Sequence, residues 1–137
     1  MTSWECPDCR RRFARAKQGH ECAPAITLDE YFASGPPHER PIFDAVYEFV
    51  KSLGPVHVEP VSVGIFLKKA GGWIELRPKT KWVALSFPFP RTIDNTRISR
   101  KPIEVGRFVW HVVNLRSPGE FDDVVKDWLT ESYDFER

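Results

Sequence analysis

From Glu39 to Leu53 the apolar residues Ile42, Phe43, Val46, Phe49, Val50 and Leu53 recur at intervals of one, three and four, which lines them along one side of a helix. Gly54-Pro55 supplies the stop, because glycine accepts the turn and proline cannot extend the ladder. A second stripe, Phe121, Val124, Val125, Trp128 and Leu129, predicts a last helix with Ser117 as its cap, Pro118 in the first turn and Glu120 completing a capping box. A shorter turn of helix is expected from Thr27, where Thr27-Leu28-Asp29-Glu30 has the same S/T-x-x-E form, and it breaks at Ser34-Gly35-Pro36-Pro37.

Between Val56 and Leu115 the period changes to two, with β-branched and aromatic residues punctuated by Gly71-Gly72, Pro78, Pro88 and Pro90. Three or four antiparallel strands are predicted there, with an optional short fifth over residues 56–60. Helix, strands, helix implies an α+β fold, an antiparallel sheet of four or five strands with two helices on one face. Alternation then sorts the side chains. Val63, Ile65, Leu67, Ile74, Leu76, Val83, Leu85, Phe87, Val109, Val113 and Leu115 are expected to face the helices. Phe66, Lys68, Trp73, Arg77, Trp82, Ser86, Phe108, Trp110, Asn114 and Arg116 are expected on the opposite face, which is therefore aromatic and basic.

The chain has 137 residues, 42% apolar and 28% charged, which suits one domain of about 100 residues and a short appendage. No apolar run approaches the roughly 18 residues of a membrane span, and residues 1–15 lack the apolar stretch of a secretory signal. A soluble, cytoplasmic protein with no membrane partner is expected, in which cysteines stay reduced. The net charge of +1 conceals segregation: residues 1–27 hold five basic and three acidic groups, 28–67 two and six, 68–116 eleven and three, 117–137 two and seven. A basic middle is flanked by acidic segments.

The most specific chemical signal is Cys6-Pro7-Asp8-Cys9, followed after ten intervening residues by His20-Glu21-Cys22. A C-x2-C turn converges two thiolates on one borderline-soft cation, and His20 with Cys22 would complete a tetrahedral set. Four protein ligands leave no position for water, so one structural Zn2+ per chain is expected, standing in for a core that so short a segment cannot build. The H-x-C spacing is tight. A redox-sensitive dithiol tail, or three thiolates with His20 outside, are the alternatives. The division that follows is a zinc-knuckle module over residues 1–23, a linker with a short helix over 24–38, and an α+β domain over 39–137. Arg10, Arg11, Arg12 and Arg15 around Phe13 would suit phosphate contacts, or form a solvated cationic turn.

Trp4-Glu5-Cys6-Pro7-Asp8-Cys9-Arg10-Arg11-Arg12-Phe13-Ala14, Gln18-Gly19-His20-Glu21-Cys22, Tyr31-Phe32 before Gly35-Pro36-Pro37, Phe43-Asp44-Ala45, Leu53-Gly54-Pro55-Val56 and Leu115-Arg116-Ser117-Pro118 resemble the bacterial family labelled domain of unknown function 5655, in its version with an N-terminal zinc knuckle. That resemblance implies Cys6, Cys9, His20 and Cys22 as zinc ligands and brings no activity with it. The helix-sheet-helix order is more distantly similar to frataxin-like domains, although Glu39, Asp44 and Glu48 are too few to carry an iron-binding ridge across.

Three functions follow from the two-faced sheet. In the first, nucleic acid stacks on Phe66, Trp73, Trp82, Phe108 and Trp110 while Lys68, Arg77, Lys79, Lys81, Arg97, Arg100, Lys101 and Arg116 track its phosphates. In the second, the same aromatic face is covered, by the knuckle and linker, by a second copy, or by a protein partner, since so many exposed aromatics exceed what monomers leave in water. Catalysis has the least support. Without a phosphate loop, nucleophile elbow or paired carboxylates, His111 with Arg107 and Arg116 is the one nomination, and His57 and Glu59 alternate on one strand face.

Overall fold

The computed structural model describes residues 4–5, 12–13, 27–33, 35–61, 63–69 and 72–135. Two short strands, β1 (Trp4–Glu5) and β2 (Arg12–Phe13), pair antiparallel, with Trp4 opposite Phe13 and Glu5 opposite Arg12. The main unit runs α1 (Leu28–Ala33), α2 (Glu39–Leu53), β3 (His57–Val61), β4 (Gly64–Lys68), β5 (Gly72–Pro78), β6 (Val83–Phe89), β7 (Ile103–Val105), β8 (Phe108–Leu115) and α3 (Asp123–Asp134). Its sheet has six strands in the order β3-β4-β5-β6-β8-β7, every neighbouring pair antiparallel. The α+β architecture is as expected. The sheet is wider than the four or five strands anticipated, because β7 pairs with the start of β8 at the outer edge, past a loop that the alternation alone does not resolve.

Local chemistry explains the helix ends. The Thr27–Glu30 capping box forms reciprocally, the Glu30 N–H donating to Thr27 Oγ1 at 3.1 Å and the Thr27 N–H to Glu30 Oε1 at 3.3 Å. The other box does not. Ser117 heads only a 3-10 turn over Pro118–Glu120, Glu120 Oε1 accepts from the Arg116 N–H, and the cap of α3 is Asp122, whose side chain accepts from the Val125 N–H at 3.3 Å. An aspartate one turn further on meets the free N–H groups of the longer helix, and the shorter turn ends before it. At the close of α2, Gly54 has φ 151°, and a Cβ there would collide with the Tyr133 hydroxyl, so only glycine fits.

The core lies between the sheet and α2 and α3. Ile42, Val46 and Val50 of α2 and Val125 and Leu129 of α3 meet Ile65, Leu67, Ile74, Leu76, Leu85, Phe87, Val113 and Leu115, all nearly or wholly inaccessible to solvent. Phe49 packs edge-on against Phe121, and Trp128 stacks over Phe87. Each buried Leu, Ile or Phe side chain contributes about 1.5–3 kcal/mol of apolar transfer. The predicted inward set is correct except for Val63, which sits in the β3–β4 turn and is 55% exposed.

Trp73 is the main correction. It was expected on the outer face, yet it is only 4% exposed, donates its indole N–H to Ser132 Oγ of α3 at 2.9 Å and packs edge-on against Tyr133. The cause is a β-bulge: Leu67 pairs with Ile74 while Lys68 pairs with Gly72, so Trp73 is the extra residue and turns to the same side as Ile74.

Candidate recognition face

The sheet face turned away from the helices is built from the alternate residues of each strand. Across its middle, Glu59, Phe66, Glu75, Ser86 and Val112 lie side by side in register. Ala84, Ser86 and Val112 are short enough to be buried among their neighbours there. Two of the expected phosphate contacts are spent within this row's surroundings. Lys68 Nζ lies 2.8 Å from Glu59 Oε2, with His57 Nε2 3.3 Å from Glu59 Oε1, and Arg77 Nε lies 3.3 Å from Glu75. Glu59 is 4% exposed, so its pair with Lys68 is largely desolvated, whereas Arg77 and Glu75 meet at the surface.

Arg97 leaves the predicted set for another reason. It reaches Asp122 Oδ2 at 2.8 Å and the Glu120 carbonyl at 2.6 Å, which ties the β6–β7 loop to the entry of α3. Burial alone would raise the Asp122 carboxyl, but the Val125 N–H and the Arg97 guanidinium hold it below the usual carboxylate range. Arg91 makes a comparable tie to Glu131.

Aromatic groups remain at both ends of the face. At one end the Arg116 guanidinium lies 5.6 Å over the half-buried Trp82 ring, beside exposed Lys79 and Lys81. The Trp82 carbonyl closes this turn, accepting from the Lys79 N–H at 2.7 Å and from His38 Nε2 at 3.3 Å. At the other end the β7–β8 hairpin turns through Gly106, φ 58°, and pairs Ile103 with Trp110 and Val105 with Phe108. Because Val109 and His111 point to the helices, these four side chains share the outer face. Phe108 and Trp110 pack edge to face at 6.2 Å, while Ile103 is 56% and Val105 46% exposed. Exposed Arg100, Lys101 and Arg107 surround the hairpin and take part in no ion pair among the described residues. Phe66 lies further in, half-buried beneath Lys68.

Sequence reasoning assembled Arg100, Lys101, Phe108 and Trp110 but missed Ile103 and Val105. Their signal was the short run Ile103-Glu104-Val105 before Gly106-Arg107, an alternating strand stub ahead of a two-residue turn. Cys6, Cys9, His20, Cys22, Arg10, Arg11 and Arg15 lie outside the described residues, and Arg12 enters only through its backbone pairing in β2. Among the described residues no group of three or more His, Cys, Asp or Glu could hold a metal ion.

His111, the catalytic nomination, is 1% exposed, between a stacked Phe87 and an edge-on Phe89. Its Nε2 accepts from the Ile93 N–H and its Nδ1 donates to the Val109 carbonyl, so both ring nitrogens are engaged by backbone. A substrate has no route to it. The imidazole is a structural peg.

The family model for a domain of unknown function, DUF5655, matches residues 28–136, which includes every element of the six-stranded unit. The chain belongs to the DUF5655 family. The DUF5655 match begins at α1 and leaves β1 and β2 outside it. No curated protein and no solved structure matches the chain. Among the described residues of this DUF5655 protein, no helix is long and apolar enough to cross a membrane.

Proposed function

We propose that this DUF5655 protein is a recognition module with a zinc-clasped N-terminus, which binds a protein partner on the sheet face away from its helices. The observation that carries this reading is the apolar cluster of Ile103, Val105, Phe108 and Trp110, displayed on one side of an edge hairpin. Exposed Ile103 and Val105 beside half-buried Phe108 and Trp110, rimmed by Arg100, Lys101 and Arg107, suit a protein interface. The aliphatic pair at its rim has no π-face on which to stack a base. Trp110→Ala, checked as folded by circular dichroism, is expected to lose proteins that cross-link to the intact chain in a lysate of its source cells. Identical recovery by both chains would reject the reading.

Nucleic acid is the second reading, supported by the grouping of Trp82 and Arg116 with Lys79 and Lys81, cations that are not consumed by carboxylates among the described residues. It predicts tryptophan quenching by oligothymidylate that weakens steeply with salt. For the metal, the β1–β2 ladder supports a knuckle: with Glu5 opposite Arg12, the ends of the connection bearing Cys6 and Cys9 lie side by side. Cys6, Cys9, His20 and Cys22 would hold the zinc, which supplies a tetrahedral anchor to a segment without a core.

A further inference from the structure

The outer side of β7 has no strand beside it among the described residues, and all three of its residues are exposed. Such an edge offers unpaired N–H and C=O groups to another strand. Edges are commonly guarded by proline or charged residues; here Lys101-Pro102 stand just before β7 and Glu104 alone lies within it, so all three residues of the strand keep a backbone N–H. Alternation determines what an added strand would meet. Ile103 and Val105 continue the patch of Phe108 and Trp110 on one face, and Glu104 projects on the other. Charge determines what would flank it: Arg100 and Lys101 stand before β7, and Arg107 follows it in the turn, three exposed cations against one carboxylate.

We propose that β7 takes up an extended segment of a partner protein as a seventh strand of the sheet. The segment carries apolar residues at alternate positions against Ile103 and Val105, a basic or polar residue beside Glu104, and carboxylates at its ends against Arg100, Lys101 and Arg107. This inference rests on the reading of the face as a protein-binding surface and specifies the partner's chemistry. Main-chain hydrogen bonds supply affinity in this mode and the alternating side chains supply selectivity. A second copy of the chain suits the edge poorly. Self-pairing of β7 would crowd the Arg100, Lys101 and Arg107 groups of both copies along one short edge, where like charges repel. Nucleic acid would satisfy those cations but leave Ile103 and Val105 uncovered.

The test uses the full chain with its metal and two synthetic peptides of identical composition. In one, valines alternate with lysines and aspartates close both ends; in the other the same residues are shuffled. Binding is read by tryptophan fluorescence and by hydrogen exchange of residues 98–110. The alternating peptide is expected to bind at least about tenfold more tightly and to slow exchange in β7, and Ile103→Thr with Val105→Thr, which keeps strand-forming residues, to weaken it by about tenfold. Reversing Lys101 and Arg107 to Glu should transfer the preference to a peptide with lysines at its ends. Equal binding of both peptides, no binding up to about 1 mM, a dimer that protects β7, or protection by oligothymidylate in place of the peptide would each overturn the proposal. Partner capture that depends on Trp110 but ignores the threonine and charge-reversal variants would reject strand addition and leave the sheet-face reading standing. Indifference to Trp110→Ala as well would remove both.

Discussion

The Nε2 of His111 accepts a hydrogen bond from the Ile93 N–H at 2.9 Å, pinning the start of the β6–β7 loop to the buried side of β8. This bond requires an unprotonated Nε2, since the Nδ1 proton is already given to the Val109 carbonyl at 3.0 Å. Burial opposes the imidazolium and outweighs the pull of that carbonyl, so His111 titrates below the ordinary histidine value. The unfolded chain therefore binds the proton first. Stability is full above about pH 6.5 and declines as pH falls from there towards the lower folded value. His111→Phe should remove this part of the slope, measured as the difference between urea denaturation at pH 8 and pH 5. At pH 8 it should cost about 1–3 kcal/mol, because the Ile93 N–H loses its acceptor. A variant with the pH slope of the parent would show that His111 is not the responsible group.

Glu39 should behave with the opposite sign. It is 1% exposed in the first turn of α2, accepts the Tyr31 hydroxyl at Oε2 and leaves Oε1 without a hydrogen bond. Burial raises its carboxyl above the ordinary value, although the Tyr31 hydroxyl and His38 pull it down; burial and Glu39 together push the Tyr31 phenol up. The folded state holds the Glu39 proton to higher pH than the unfolded one, so stability from this group falls as pH rises from 4.5 through the folded value and is constant above it. Glu39→Gln, which has no charge to bury, is expected to unfold at equal or higher urea concentration at pH 7 and to lose that slope. A marked loss of stability at pH 7 would show that the ionised carboxylate is needed.

Trp73 and Trp110 should separate cleanly. Trp73→Phe forfeits the bond to Ser132 and part of the packing against Tyr133, an expected cost of about 1–3 kcal/mol in urea denaturation with partner binding intact. Trp110→Ala, on the half-exposed face, should reverse the pattern, with little change in melting temperature and loss of binding. The opposite result would return Trp73 to the recognition face.

Metal content should be separable from the main fold. The Cys6→Ser, Cys9→Ser double variant is expected to lose one zinc per chain by elemental analysis. The unfolding transition of the six-stranded unit should survive, because its core is drawn from Ile42 onward. Joint loss of both would show that the clasp and the sheet fold as one unit.

Periodicity made most of the architecture legible. The stripe of α2, that of α3 apart from the exposed Val124, the capping box at Thr27 and the inward set from Ile65 to Leu115 depend on neighbours three, four or two positions away, and such local relations are written in the order of residues. The Cys6–Cys9 and His20–Cys22 spacing is also a local signal, but those residues lie outside the described ones. What only the tertiary structure decided depends on partners far along the chain. A bulge set against Leu67 turned Trp73 towards Ser132, 59 positions away. Arg97 was drawn to Asp122, and Lys68 and Arg77 to carboxylates within reach on the sheet, which left the cations of the expected aromatic and basic face at its two ends. Alternation states which way a side chain points, but the energy of a charge or an indole depends on what stands opposite it, and that is fixed only when the strands are in register.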